Sequence, residues 1–251
     1  MDVVDYLLET TRFWLETFNV DGFRLDVPNE CPPWFWQLFV DEVRKAKPDA
    51  YIVAELWGDA SADVGPKMYD ATMNYRYFRD PVLEWLGRGQ GTAHDFDLAL
   101  APGRSVYAPQ SQQVMMNLMG SHDTERVLHV AGGDVRRLKL AATFQMTYVG
   151  TPHIYYGDEV AMTGGGDPDC RRPFHWKWEK DEQRRNVHDY YRTLIALRHE
   201  LPALRRGEFQ TLLARGQIYA YLRTYQDERV LVVLNNSGQA VETEISLAGL
   251  P

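Results

Sequence analysis

Three strand-like stretches of this 251-residue chain end in side chains able to do chemistry. In "NVDGFRLDVPNE", residues 19–30, Val20, Phe23, Leu25 and Val27 have strand character, and Asn19, Asp21 and Gly22 mark the turn before them. Arg24 and Asp26 stand two apart, so a strand puts both on one face, where buried charges are costly unless they pair or perform a task. A second apolar run, "DAYIVAELW", carries Glu55, and a third, "VMMNLMGSHD", ends in His122 and Asp123. Strand ends in a barrel of alternating strands and helices converge on one mouth. Two carboxyls meeting there suit the cleavage of a glycosidic bond, one as proton donor and the other as nucleophile or base. The guanidinium beside Asp26 and the apolar neighbours of Glu55 give the two groups different environments, as such a division of labour requires. A single strand-end Asp serves equally well as a helix cap. Three such ends, one with an Arg two residues before its Asp, favour the chemical reading.

The elements needed to position these residues are legible as alternating patterns. Val4, Leu7, Leu8, Thr11, Trp14, Leu15 and Phe18 form a helical stripe before the first strand. "PPWFWQLFVDEVRKA" predicts a second helix, with Pro32 and Pro33 at its entry. Residues 76–88 and 91–101 predict helices after a short strand at "ATMNY", "GDVRRLKLAATFQMTYV" another, and "KDEQRRNVHDYYRTLIALRHEL" a long amphipathic one after a strand at "TPHIYYGDE". Such alternation predicts an α/β fold, a parallel sheet with crossover helices. Beyond about residue 204 only short strands remain ("TLLAR", "IYAYLRTY", "RVLVVLNN", "VETEISL"), which divides the chain into 1–203 and a small antiparallel β domain over 204–251. Trp14, Trp34, Trp36 and Trp85 occupy helical positions and are expected to pack, whereas Trp57, two residues after Glu55, is a candidate to stack on a ligand. The loop "TGGGDPDCRRPFHW" leaves the same end of a strand and offers Asp169 and Arg172 as polar contacts.

Composition excludes several classes of partner. A net charge of -8 and the absence of long basic runs argue against nucleic acid and anionic membranes. Cys31 and Cys170 have neither disulfide-framework nor zinc spacing. No apolar stretch reaches the ~20 residues of a membrane helix. The acidic, helical start "MDVVDYLLETTRFW" lacks a secretory pattern, which leaves a cytoplasmic location as the expectation.

"DGFRLDVPNE", "VAELWGDA" and "MGSHDTER" resemble signature segments of the α-amylase family of glycoside hydrolases, and "YYGDEVAMTGGGDPDCRRPFHW" resembles its neopullulanase, cyclomaltodextrinase and maltogenic amylase branch. The resemblance covers essentially the whole chain. It implies a (β/α)8 barrel of which residues 1–203 supply about strands 4 to 8, followed by a β-sandwich-like domain cut short. It implies that the chain is the C-terminal part of a longer enzyme and less active or less stable alone. In residue terms it implies Asp26 as nucleophile, Glu55 as general acid and then base, Asp123 as holder of sugar hydroxyls, and Arg24 and His122 as their partners. The substrate would be an α-glucan oligosaccharide cleaved at α-1,4 bonds with retention, and a homodimer of the longer parent stays open. No cofactor is implied. The family often carries a structural calcium, but no EF-hand loop is present and part of that site would precede residue 1. A transglycosylase or isomerising relative using the same carboxyls and a non-catalytic carbohydrate-binding fragment are the alternatives.

Overall fold

Gly22 opens β1 (Gly22–Leu25) because a Cβ there would stand 1.9 Å from the Tyr51 carbonyl oxygen of the next strand. The computed structural model, which describes residues 2–247, pairs β1 in parallel with β2 (Tyr51–Ala54), setting Arg24 opposite Val53 and Leu25 opposite Ala54. β2 pairs in parallel with β3 (Ala71–Thr72). A parallel bridge between Met73 and Met116 continues the sheet into β4 (Met116–Leu118), which pairs with β5 (Thr151–His153). Among the described residues these strands form one arc in chain order, the β/α arrangement predicted from the alternating pattern. β2 is covered on both faces, with Ile52, Val53 and Ala54 at most 2% exposed, as its unbroken apolar run requires.

Crossover helices start where the sequence supplies caps. Asp2 accepts the Asp5 N–H ahead of helix Val3–Phe18, Thr92 and Asp95 form a capping box on Ala93–Val106, and Asp134 and Asp181 cap Val135–Thr147 and Glu182–Glu200. Pro33 begins helix Pro33–Ala46 at a position where its missing N–H costs nothing. Phe78, Leu86, Phe96, Leu138, Phe144 and Tyr191 meet in the main core, which continues into the C-terminal sheet through Tyr219 and Tyr221.

Several expectations need correction. β4 and β5 are shorter than the apolar runs suggested, and the polar ends of those runs are turns. Residues 75–87 coil as Tyr75–Arg79 and Leu83–Gly87, both wide π turns, around Asp80–Val82, where Pro81 removes a helical donor. In helix Val3–Phe18 only part of the predicted stripe is buried: Thr11 and Leu15 are, whereas Leu7, Trp14 and Phe18 are 41–57% exposed. Phe13, Trp14 and Phe18 instead pack on one another, ring centres 5.0–5.8 Å apart, on the outer face. Trp34 is also exposed, while Trp36 and Trp85 are buried as expected.

After helix Pro202–Arg206 the chain forms an antiparallel meander of β6 (Glu208–Arg215), β7 (Ile218–Tyr225) and β8 (Glu228–Asn235). Among the described residues the further strand predicted over 241–247 does not form, and that stretch is mostly exposed. Among the described residues no helix is long and apolar enough to cross a membrane.

Candidate active site

β1, β2 and β4 run in parallel, so the residues that follow their last ladder pairs gather at one end of the sheet. Asp26 comes directly after β1, Glu55 directly after β2, and His122 and Asp123 shortly after β4. Glu55 also keeps the parallel pattern going for one step, its N–H donating to the Leu25 carbonyl at 3.0 Å.

One guanidinium joins the first two carboxyls. Arg24 reaches from β1 with Nη1 2.5 Å from Asp26 Oδ1 and Nη2 2.7 Å from Glu55 Oε1. Glu55 Oε2 accepts the Val27 N–H at 3.3 Å. The residue that makes this last contact sits in a left-handed conformation, φ 39° and ψ 53°, unusual for a β-branched side chain. That twist turns the chain immediately after Asp26 so that its N–H faces the neighbouring strand end. The two carboxyls differ in setting: Glu55 is 3% exposed, whereas the Asp26 side chain is 75% exposed. The sequence reading put Arg24 and Asp26 inside a buried strand. The Asp26 side chain is instead 75% exposed and that of Arg24 30%, because β1 has a ladder partner on only one side among the described residues. Glu55, expected among apolar neighbours, is buried but is held by charge and by a backbone donor.

Asp123 belongs to a second group. Its Oδ2 lies 3.1 Å from His122 Nε2 and its Oδ1 3.2 Å from Nη2 of Arg171, which also binds Asp167 at 2.8 Å and the His122 carbonyl at 2.8 Å. Tyr75 links the two groups. It is 1% exposed, its hydroxyl donates to Ser121 Oγ at 3.2 Å, and its ring stacks on Trp57 with centres 4.1 Å apart and planes 5° apart. Burial raises the Tyr75 phenol above its usual range, opposed by the Ser121 hydrogen bond and reinforced by the charges of Glu55 and Asp123. Trp57 is about half exposed and presents its other side outward.

Asp169 and Arg172 turn to each other rather than to the carboxyls. Arg172 binds both oxygens of Asp169, at 2.7 and 2.8 Å, and donates to Thr163. Asp169 is held below the usual carboxylate range, first by Arg172 and then by the Gly165 N–H. The sequence reading missed Tyr75 and Arg171. Tyr75 closes the short strand candidate "ATMNY" with no distinguishing neighbour. Arg171 stands beside Arg172, and only the turn Asp169–Arg171 decides which of the two faces Asp123. Cys31 is exposed and Cys170 buried, both free.

Chemically, the arrangement offers two carboxyls on adjacent strand ends, fixed by a shared cation, beside a third carboxylate and an aromatic plane. That combination can protonate a leaving oxygen, attack or stabilise a carbon cation, and hold hydroxyl groups.

The family model described as alpha amylase, catalytic domain, matches residues 1–207, and that of the maltogenic amylase C-terminal domain matches residues 209–250. Neopullulanase 2 of Thermoactinomyces vulgaris is 46% identical over 240 residues, 95% of this chain and 40% of the relative. A cyclomaltodextrinase of Thermoanaerobacter pseudethanolicus is 43% identical over 238 residues, 95% of this chain and 41% of its own length. The crystal structure of a debranching enzyme from Nostoc punctiforme superposes with a TM-score of 0.90 at 33% identity, over 98% of this chain and 53% of that one. The chain thus spans about two fifths of the length of the curated relatives it matches.

Proposed function

The chain belongs to the α-amylase family of glycoside hydrolases, and from that premise we propose that it carries the carboxyls of an enzyme cleaving α-1,4-glucosidic bonds in cyclomaltodextrins, pullulan, starch or maltooligosaccharides. The observation that supports this reading best is the single guanidinium of Arg24 holding Asp26 and Glu55 together at neighbouring strand ends. In a retaining double displacement, Asp26 attacks the anomeric carbon while Glu55 gives its proton to the departing glycosidic oxygen. Water then yields a proton to Glu55 and its oxygen displaces Asp26, restoring both groups. Arg24 Nη1 occupies Asp26 Oδ1 and leaves Oδ2, which takes no hydrogen bond among the described residues, for the carbon.

Asp123 fits the role of holding sugar hydroxyls, since His122 and Arg171 fix its orientation while its side chain remains 30% exposed. Trp57, kept flat by Tyr75, offers a ring face to a glucose unit. The chemistry calls on carboxyls and water alone. Hydrolysis is the main outcome proposed; interception of the glycosyl-enzyme by a sugar hydroxyl would use the same groups.

The test is Asp26→Asn and Glu55→Gln assayed on maltotriose and β-cyclomaltodextrin. Each change is expected to lower kcat by about 10³-fold or more while sugar binding persists, and NMR of the first product should show the α-anomer. Turnover by Asp26→Asn at the parent's rate, or a β-anomer as first product, would overturn the reading.

A further inference from the structure

Arg126 lies three residues beyond Asp123, and its side chain is completely buried. It has no hydrogen bond or ion pair with Asp26, Glu55 or Asp123, yet it holds two separate segments, 155–158 and 163–172. Its backbone N–H donates to the Gly164 carbonyl at 3.0 Å, and its Nε donates to the Cys170 carbonyl at 3.0 Å. Its Nη1 donates to the Tyr156 carbonyl at 2.6 Å and to Asp158 Oδ1 at 3.1 Å. The guanidinium lies over the rings of Tyr155 and Tyr156, 4.4 and 4.8 Å from their centres. Nη2 finds no hydrogen-bond acceptor among the described residues and has these π faces in its place.

Asp158 balances that charge from below. It is 2% exposed, and its Oδ2 lies 3.4 Å from where a Cβ on Gly120 would stand, so the carboxyl packs under the backbone leading to Asp123. Burial pushes Asp158 up to about 7, and the Arg126 guanidinium pulls the other way, favouring the ionised form. A buried charge lacking its partner is strongly destabilising.

The anchored loop is the one that reaches the candidate site. Cys170, whose carbonyl Arg126 holds, donates its thiol to the His122 carbonyl, and the next residue, Arg171, binds that same carbonyl and Asp123. The hydroxyl of Tyr156 donates to the carbonyl of Arg172 at 2.9 Å, and that of Tyr155 to Cys170. The loop is rich in glycine, at 164, 165 and 166, so its backbone is weakly determined by local sequence and its placement depends on such contacts.

We propose that Arg126 and Asp158 form a positioning pair that docks the 163–172 loop, and through Arg171 fixes the orientation of Asp123. The pair acts through Asp123 and never meets the sugar. The functional half of this inference rests on the reading of Asp123 as a sugar-binding carboxylate; the docking half does not.

The test separates the two. In a Cys31→Ser background, Cys170 is the remaining thiol, and its reaction with a thiol-specific disulfide reagent reports loop undocking. Asp158→Asn keeps the shape of the side chain and removes its charge; Arg126→Met removes the fork; Arg126→Lys restores the charge with fewer donors. Asp158→Asn and Arg126→Met should speed Cys170 labelling by about ten-fold or more with an unchanged far-UV spectrum, Arg126→Lys falling between them and the parent. On maltotriose the same variants should lose about ten-fold in kcat while KM moves by less than about three-fold. Equal labelling in all variants would overturn the docking. Faster labelling with parental kcat would overturn the positioning of Asp123. A parent chain that neither binds nor cleaves maltotriose would remove the functional half, and Cys170 protection would then decide the docking by itself.

Discussion

At the scale of single residues, Arg24 is the pivot, and its two ion pairs are unequal. The Asp26 side chain is 75% exposed, so its pair with Arg24 is screened by water and contributes little to stability, about 0–1 kcal/mol. Glu55 is buried, and without Arg24 it would retain, among the described residues, only the long contact from the Val27 N–H. Arg24→Met should therefore destabilise the chain by about 1–3 kcal/mol, chiefly through Glu55, as measured by urea denaturation. If stability is unchanged, Glu55 is satisfied some other way. The same residues show what a sequence can reveal. Asp26 and Glu55 stood out because each interrupts an apolar run at a strand end, where an ordinary core would have none. Tyr75 and Arg171 did not, since an aromatic after a strand and one arginine of a pair are commonplace until the tertiary turn around them is known.

At the scale of elements, the turn after β1 carries the strain. Val27 holds a left-handed backbone that costs an L-residue about 1–2 kcal/mol, while glycine there would add about 0.5–1 kcal/mol of unfolded-chain entropy. Val27→Gly should thus raise stability by about 0.5–1 kcal/mol, read from thermal melts, and lower kcat because the peptide that meets Glu55 is less firmly placed. A lower melting temperature would show that the Val side chain stabilises more than the backbone loses. No periodicity announces such a residue, and its preference for extended backbone points the other way. The same limit applies to helix Val3–Phe18. Its wide apolar stripe was legible, but which part of the stripe meets the sheet is set by packing, and here Trp14 and Phe18 remain outside.

At the scale of the molecule, the C-terminal sheet is tied into the β/α arc by buried polar contacts. Arg223 of β7, fully buried, donates to the carbonyls of Thr147, Gly207 and Glu208. Tyr219 of the same strand donates to Asp97 at 2.7 Å, and Asn236 donates to the Trp85 carbonyl at 2.7 Å. Arg223→Met would strand the buried carbonyls of Thr147 and Gly207 and should destabilise by about 2 kcal/mol or more, with circular dichroism and tryptophan emission still melting together. Separate transitions by the two probes would show the sheet to be an independent unit. The order of strands was legible because hydrophobic runs and turns recur regularly, whereas these cross-links join residues as far apart as Trp85 and Asn236 and leave no local trace.

Sharing one cation between two carboxyls also makes Asp26 and Glu55 epistatic. Neutralising either residue releases Arg24 to the other, so a second substitution is introduced into a protein whose electrostatics have already been rewritten. Effect sizes at these positions belong to the trio, and only a four-member cycle of variants assigns them to its members.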